Sequence, residues 1–201
     1  RRLRLRDGIW AASEGVIYEG FSGAHVIPRF DVPDTWTRWW VVDFGFTNPF
    51  CWQDWAEDGD GRLYLIREIY RTRRLVEDHA KDILAILKDA DGQWIGPQPR
   101  AIVCDHDAED RATLERHLDL STSPAHKSVS DGIQAVQARL KAAGDGKPRL
   151  FVFRDALVER DPELDAAKKP CGTAEEITGY VWDRGSAQQQ AADKPPKEAP
   201  V

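Results

Sequence analysis

The sequence predicts an α/β fold in which a mixed sheet, an antiparallel three-stranded hairpin sheet continued by parallel strands, is flanked by helices. Two observations support this. Apolar residues recur with a strand-like period over residues 38–70, and the period changes to that of an amphipathic helix over residues 75–88. A β-branched run then returns at residues 100–105. Because a strand, a crossover helix and a second strand form a parallel pair, the hairpin sheet is expected to gain a parallel neighbour.

Three strands are predicted in the first part of this domain. Residues 38–45 form a β-branched and aromatic run that closes on Asp43 and Gly45, as expected of a central strand that opens into a loop. Residues 50–55 and 62–70 are the next two strands, and Asp-Gly-Asp-Gly at 58–61 provides the tight turn between them. An Asp-Gly turn between apolar runs is a strong hairpin signal, so these strands are predicted to be antiparallel.

Helices and further strands follow in alternation. Residues 75–88 place apolar side chains on one helical face, and His79 is expected on the polar side. Residues 175–182 are compatible with a short helix ending near Gly179 or with an edge strand, and the polar sequence after Gly185 predicts a mobile tail or part of a long loop. The remaining predicted elements are a strand at 100–105, helices at 108–118 and 131–143, and a strand at 149–153.

Composition narrows the class of protein. The 201 residues carry a net charge of −6, which argues against a protein that coats DNA with its whole surface but permits an enzyme with local basic patches. No apolar run approaches the roughly 20 residues that span a bilayer. The chain begins at Arg1 and contains no methionine, so it is expected to be a piece of a longer polypeptide. The three cysteines, Cys51, Cys104 and Cys171, show no disulfide or zinc-binding pattern and are expected to be free thiols.

Two acidic residues end strongly apolar predicted strands, Asp43 and Asp105. In an open α/β sheet, groups at the carboxyl ends of neighbouring strands converge on one crevice. Two carboxylates brought together there repel each other unless a cation lies between them, and hard cations such as Mg²⁺ prefer such oxygen ligands. The arrangement therefore indicates metal-assisted phosphodiester hydrolysis.

Other interpretations of these acids stay open. A strand-end acid also caps a following helix or binds loop amides, and one of Asp107 and Asp110 is expected to cap the helix that starts near Ala108. Glu68 lies beside Arg67 in a predicted strand, where a solvated edge position or an arginine pair is favoured over metal binding. His106, next to Asp105, is a residue that could reach the site.

Seven segments of the chain carry a family resemblance. They are VVDFGFTNP (41–49), LYLIREIY (63–70), VCD (103–105), KSVSDGI (127–133) and EEITGYVW (175–182), preceded by GIW (8–10) and EGVIY (14–18). With these segments the sequence resembles the nuclease domain of tailed-phage terminase large subunits. The segments cover nearly the whole chain in the family's order. The resemblance implies the RNase H-like fold shared with retroviral integrases, and endonucleolytic cutting of concatemeric viral DNA when packaging begins and ends.

The resemblance also implies a set of site residues. Asp43 and Asp105 match the first two acidic ligands of a two-metal site for Mg²⁺ or Mn²⁺, in which Asp43 would bridge both ions. The family's third ligand has no match before Val201. Lys127 matches a lysine position of the family and is a candidate DNA contact, with an exposed lysine of no special role as the alternative. Arg73 and Arg74 belong to a basic cluster that could follow a phosphate backbone, pair with nearby acids or face the motor domain.

The partners implied are double-stranded DNA, an amino-terminal ATPase motor of the same polypeptide, the portal and the small terminase subunit. The resemblance places the protein in the host bacterial cytoplasm and not in a membrane. Residues 1–35 are expected to form an arm leading from the motor, 36–185 the nuclease domain and 186–201 a flexible tail or truncated loop. Two alternatives stay open: an RNase H-like recombinase or Holliday-junction resolvase, and a non-catalytic docking module of the packaging motor.

Overall fold

A computed structural model describes residues 16–182 of the chain. The strands are β1 (Val26–Ile27), β2 (Thr37–Asp43), β3 (Phe50–Glu57), β4 (Leu63–Arg71), β5 (Ala101–Cys104), β6 (Ser123–Pro124) and β7 (Leu150–Phe153). The α-helices are α1 (Val76–Leu87), α2 (Ala108–Leu118), α3 (Val129–Leu140), α4 (Pro162–Ala166) and α5 (Thr173–Glu176), and a 3₁₀ turn covers Gly23–His25. The predicted tail at 186–201 and the first 15 residues of the predicted arm lie outside the described residues.

The strands form one seven-stranded mixed sheet in the order β1-β7-β4-β3-β2-β5-β6. β2, β3 and β4 pair antiparallel, and every other neighbouring pair in the sheet is parallel. The carboxyl ends of β2, β4, β5 and β6 therefore meet at the same edge of the sheet. This confirms the predicted mixed α/β architecture, with the hairpin strands at its centre.

Helices α1 and α2 cover one face of the sheet. The largest cluster there joins Trp40, Phe50 and Trp52 of the central strands to Ile83 of α1 and Leu114 of α2. A second cluster, around Tyr64, Phe151 and Phe153, includes Leu140 of α3. Trp40, Trp52 and Trp55 of β2 and β3 are therefore part of the core.

Two of the predictions made for single residues are wrong. His79 was expected on the polar side of its helix, but it is fully buried and its ring stacks on Phe50 with 3.8 Å between centroids. Its position in the sequence puts it on the stripe that includes Ile83 and Leu87, and that stripe packs against the sheet. Glu68 was expected at a solvated edge or in an arginine pair, but β4 lies between β3 and β7, and Glu68 is 2% exposed. Its hydrogen-bond partner is Thr173, and Arg67 is paired with Asp54 instead.

Smaller differences concern element ends. The helix predicted at 131–143 begins earlier, at Val129, because the Ser128 side chain caps it by accepting from the Asp131 amide. Residues 175–182 contain the end of α5 and an isolated bridge between Val181 and Val16, so each alternative holds for part of the segment. β1, β6 and α4 are too short to leave a periodic signal in the sequence. None of the described helices is long and apolar enough to cross a membrane.

Candidate active site

Asp43 and Asp105 lie side by side at the carboxyl ends of two neighbouring parallel strands. Val42 of β2 pairs with Cys104 of β5, so the next residue of each chain segment is one of the two acids. The Asp105 amide donates to the carbonyl oxygen of Val42 at 3.1 Å, which continues the ladder one residue beyond β5. Neighbouring strands are about 4.8 Å apart, and both acids are exposed. The structure thus brings together the two acids that the sequence singled out.

The two acids belong to the face of the sheet opposite α1 and α2. Side chains alternate along a strand, and Val42 and Cys104 point into the cluster with those helices. On the face of Asp43, the β2 residue two positions earlier, Val41, is 41% exposed. Within the described residues, the β2 and β5 part of this face is therefore open to a ligand.

The loop that follows Asp43 is held by two backbone constraints. A β-carbon on Gly45 would come within 2.5 Å of the Asn48 carbonyl oxygen and 2.7 Å of that of Pro49, so the loop closes on itself only with glycine there. The carbonyl oxygen of Phe46 accepts from the Arg73 amide at 2.7 Å, which ties the loop to the segment after β4. The Phe46 ring remains 55% exposed at this rim.

The residues after Asp105 turn the chain into α2. The Asp105 carboxylate accepts from the amide of His106 at 2.6 Å, and Asp107 caps α2 by accepting from the amides of Glu109 and Asp110 at 3.0 Å each. Of the two acids expected to cap this helix, Asp107 is therefore the cap. His106 is half-buried, and its Nε2 is buried without a hydrogen-bond partner among the described residues.

The predicted basic residues lie at the same edge of the sheet as the acids. Arg73 and Arg74 follow β4, and Lys127 follows β6, which pairs with β5. Arg73 is ion-paired with Glu163 at 2.6 Å and Arg74 with Asp82 at 2.8 Å. Both pairs are at least one-third exposed, and exposed pairs of this kind contribute at most about 1 kcal/mol, so a phosphate can replace the carboxylate. Lys127 is exposed.

A cavity of about 240 Å³ lies between β4 and α1, lined by residues that include Ile69, Arg71 and Asp82. Ile69 belongs to the cluster that packs on α1, which puts this cavity on the face opposite Asp43. Both arginines that line it, Arg71 and Arg74, are paired with carboxylates. The cavity is thus separated from the acid pair by the sheet. The open surface at Asp43 and Asp105 is therefore the better candidate for the active site.

The sequence interpretation missed the acidic surroundings of Cys51. Burial is the main cause that raises the pKa of the Cys51 thiol, and the charges of Glu68, Asp43 and Glu176 raise it further. Cys51 pairs directly with Asp43 across β2 and β3, and the charges of Glu68 and Glu176 act on the same thiol. The signal that could have indicated this neighbourhood is Glu68 itself, an acid within an apolar strand.

The residues present fit a divalent cation that is bound in part by water and substrate. Among the described residues, no three histidine, cysteine or acidic side chains are arranged to hold a metal ion. Mg²⁺ often takes only one or two protein carboxylates and completes its shell with water and phosphate oxygens. Asp43 and Asp105 supply that minimal donor set, because both are exposed carboxylates on adjacent strands.

Comparisons with solved structures identify the fold. The large terminase of a thermophilic bacteriophage superposes with a TM-score of 0.64 at 22% identity, over 96% of this chain and 42% of that chain. The nuclease domain of the P22 large terminase gives a TM-score of 0.54 at 15% identity, over 90% of this chain and 98% of that domain. Both structural matches extend over most of the chain.

A third structure, the nuclease domain of the SPP1 large terminase with bound Mn, gives a TM-score of 0.47 at 16% identity over 77% of this chain and 72% of that chain. A likeness at that level does not support a transfer of its metal to these residues. No protein-family model matches the chain, and no curated protein matches its sequence. The chain spans less than half the length of the thermophilic phage's large terminase, and it has the RNase H-like fold of large terminase nuclease domains.

Proposed function

We propose that this chain is a divalent-metal-dependent DNA endonuclease domain that cuts concatemeric viral DNA during genome packaging. The observation that carries the proposal is the pair of exposed acids, Asp43 and Asp105, at the carboxyl ends of β2 and β5. The likeness in fold to the P22 nuclease domain supports it. Association with an ATPase motor of the same polypeptide is part of the proposal, since the thermophilic phage's large terminase has been solved with ADP and is more than twice as long as this chain.

In this proposal Asp43 and Asp105 would be the protein ligands of Mg²⁺ or Mn²⁺. When bound, the metal supplies an activated water and neutralises charge on the phosphate and the leaving oxygen. The chain itself orients the two carboxylates through the β2 and β5 ladder and keeps their face open. Arg73, Arg74 and Lys127 are proposed to bind the DNA backbone, since they lie at the same edge.

The remaining assignments belong to the same proposal. Residues 36–185 would be the nuclease domain, with 1–35 as the arm from the motor and 186–201 as a flexible tail or truncated loop. In the described part of the arm, Val16, Ile17 and Phe21 are buried against the domain. The portal and the small terminase subunit are the proposed partners in the assembly, which would act in the bacterial cytoplasm.

A plasmid-nicking assay with Mn²⁺ tests the proposal. Because the resemblance places a third ligand beyond Val201, the assay uses this chain and a form extended past Val201, each with Asp43→Asn, Asp105→Asn and the control Asp91→Asn. Asp91 is exposed and lies between α1 and β5, away from the acid pair. We expect loss of at least 100-fold in cutting, on the order of a lost metal ligand, for the first two variants only.

Cutting that survives Asp43→Asn would contradict the metal mechanism. No cutting by either form would favour the docking module. Preferential cutting of a four-way junction over supercoiled plasmid would favour a resolvase.

A further inference from the structure

Phe46 is an exposed aromatic residue beside the acid pair. It lies three residues after Asp43, in the loop between β2 and β3, and it is 55% exposed. Three residues of chain span at most about 11 Å, so DNA that contacts Asp43 is within reach of the ring. Phe44 of the same loop packs on the core instead, with its ring 6.3 Å from that of Phe50. The loop thus packs one of its two phenylalanines on the core and presents the other to solvent.

The backbone of this loop is restrained from two sides. A β-carbon on Gly45 would meet the Asn48 carbonyl oxygen at 2.5 Å, so the loop is tightly closed at this point. The Phe46 carbonyl oxygen accepts from the Arg73 amide at 2.7 Å. Arg73 has a φ of 56°, in the left-handed region that residues other than glycine rarely adopt. The exposed ring is therefore attached to a backbone that the fold holds in place.

The charge next to Phe46 suits a nucleic acid. The Arg73 side chain is 66% exposed, and its partner Glu163 is 57% exposed. An exposed ion pair of this kind contributes little to stability, so a DNA phosphate can replace the carboxylate. Proteins bind single nucleotides with this combination of groups, because the cation contacts the phosphate and the aromatic ring stacks on the base.

Apolar side chains are exposed on both sides of Asp43. Val41, two positions earlier on the same face of β2, is 41% exposed. A surface that contacts only the DNA backbone needs cationic and polar groups, whereas apolar side chains contact bases. Val41 and Phe46 therefore indicate that bases also reach the acid pair. The faces of bases are covered by their neighbours in a regular duplex, so an aromatic ring contacts them only at a step that has opened.

We propose that Phe46 determines substrate specificity: its ring stacks on a base at an opened step near the scissile phosphate, so the domain prefers duplex DNA with an unpaired or easily unstacked step. The inference rests on the proposed function, because it concerns the DNA that the acid pair cuts. DNA rises about 3.4 Å per base pair, so the chain from Asp43 to the ring places the opened step within about five base pairs of the cut.

Fluorescence anisotropy with two labelled duplexes tests this preference in EDTA, where no metal is bound and no DNA is cut. The duplexes have the same length, and one carries a single mismatched base pair at its centre. We expect the wild-type chain to bind the mismatched duplex at least about five-fold more tightly, which is the order of one base stacked on an aromatic ring. Phe46→Ala should lose the preference, and Phe46→Trp should keep it.

Ile95→Ala is the matched control. Ile95 is an apolar side chain that is 63% exposed, and it lies between α1 and β5, in the segment that leads to the start of β5. The start of β5 is at the end of the sheet opposite to Asp105, so this variant should show the wild-type preference.

2-Aminopurine provides a second readout that a general loss of affinity would not change. The fluorescent base is placed at a TA step of the fully paired duplex, because such steps unstack easily. At saturating protein, we expect its fluorescence to rise with the wild-type chain and with Ile95→Ala, and not with Phe46→Ala.

Equal binding of the two duplexes by the wild-type chain, or the wild-type preference in Phe46→Ala, would overturn the inference and leave the ring as a contact for another protein. Both measurements are made without metal. Their failure is therefore separate from failure of the proposed function, which is contradicted if cutting survives Asp43→Asn.

Discussion

The Asp105 amide donates to the carbonyl oxygen of Val42, which precedes Asp43 in β2. This bond extends the pairing of β2 and β5 beyond the last strand residue, Cys104. As a result, the positions of two acids that are far apart in the sequence depend on one continuous ladder. The relative position of the two acids is thus set by the sheet, and the loops that follow them form the border of the candidate site.

Replacing Gly45 should disturb the loop next to Asp43. In Gly45→Ala the new β-carbon would meet the Asn48 and Pro49 carbonyl oxygens, which are backbone atoms. We expect the free energy of unfolding to fall by about 2 kcal/mol, because overpacked backbone must move. Urea unfolding measures this change. Gly59→Ala is the control, since nothing lies within 4 Å of a β-carbon there, and a similar loss in both variants would contradict the close-approach explanation.

Removing Arg67 from its ion pair with the buried Asp54 should lower the free energy of unfolding. The Asp54 side chain is 1% exposed, and Arg67 contacts it at 2.8 Å, while the Trp40 indole donates to its other oxygen at 3.2 Å. Arg67→Met leaves a buried carboxylate with one donor, and we expect a loss of about 2 kcal/mol in the free energy of unfolding.

This loss should also depend on pH. Burial is the largest cause that raises the pKa of Asp54, and Arg67 opposes it, so without Arg67 the acid takes up a proton more readily in the folded state. The deficit of Arg67→Met should therefore shrink between neutral pH and about pH 4. Lys81→Met, which breaks an exposed pair with Asp78, is the control and should change stability by less than about 0.5 kcal/mol at either pH.

His79 should make the fold less stable at mildly acidic pH. Burial, and then Arg74 and Arg71, lower its pKa from 6.5 to about 4, and neither ring nitrogen has a hydrogen-bond partner within the described structure. The unfolded chain therefore binds a proton at a higher pH than the folded one. The contribution of neutral His79 to the free energy of unfolding is fully present above pH 6.5 and is lost as the pH falls towards 4. Between about pH 7.5 and about pH 5 this loss amounts to about 2 kcal/mol.

Urea unfolding of His79→Phe at these two pH values measures this contribution. The phenylalanine keeps a ring against Phe50 but carries no titrating group. The pH dependence in that range should be smaller by about 2 kcal/mol in this variant and unchanged in His126→Gln, whose side chain is not fully buried. Equal pH dependence in His79→Phe and wild type would contradict the assignment.

The affinity for DNA should depend on salt concentration through the basic residues that lie at the same end of the sheet as the acid pair. Arg73→Gln, Arg74→Gln and Lys127→Gln should each weaken binding of double-stranded DNA uniformly across sequences and reduce the slope of log K against log salt by about one. Fluorescence anisotropy at several salt concentrations measures this slope. Arg100→Gln is the control, because Arg100 precedes β5 at the opposite end of the sheet. An equal effect of all four changes would indicate nonspecific charge attraction.

Part of the candidate site could be predicted because its signals are local. Asp43 closes a run of β-branched and aromatic residues, and Asp105 directly follows a second such run. The surroundings of Glu68 could not be predicted, because Thr173 lies 105 positions away and the helix it begins has only four residues. In the sequence alone, an acid that is buried in the sheet cannot be distinguished from an acid at the edge of the sheet, because its hydrogen-bond partner lies in a distant part of the chain.

The sequence by itself determined the order of the main strands and helices and the two acids that end apolar strands, since periodicity and turn residues are encoded locally. The tertiary structure alone decided that β4 is an internal strand, that His79 faces the sheet and that Glu68 binds the first residue of α5. The physical reason is that burial and polar contacts depend on which distant segments pack together. Those segments are brought together by the sheet order and by the hydrogen bonds between Glu68 and Thr173.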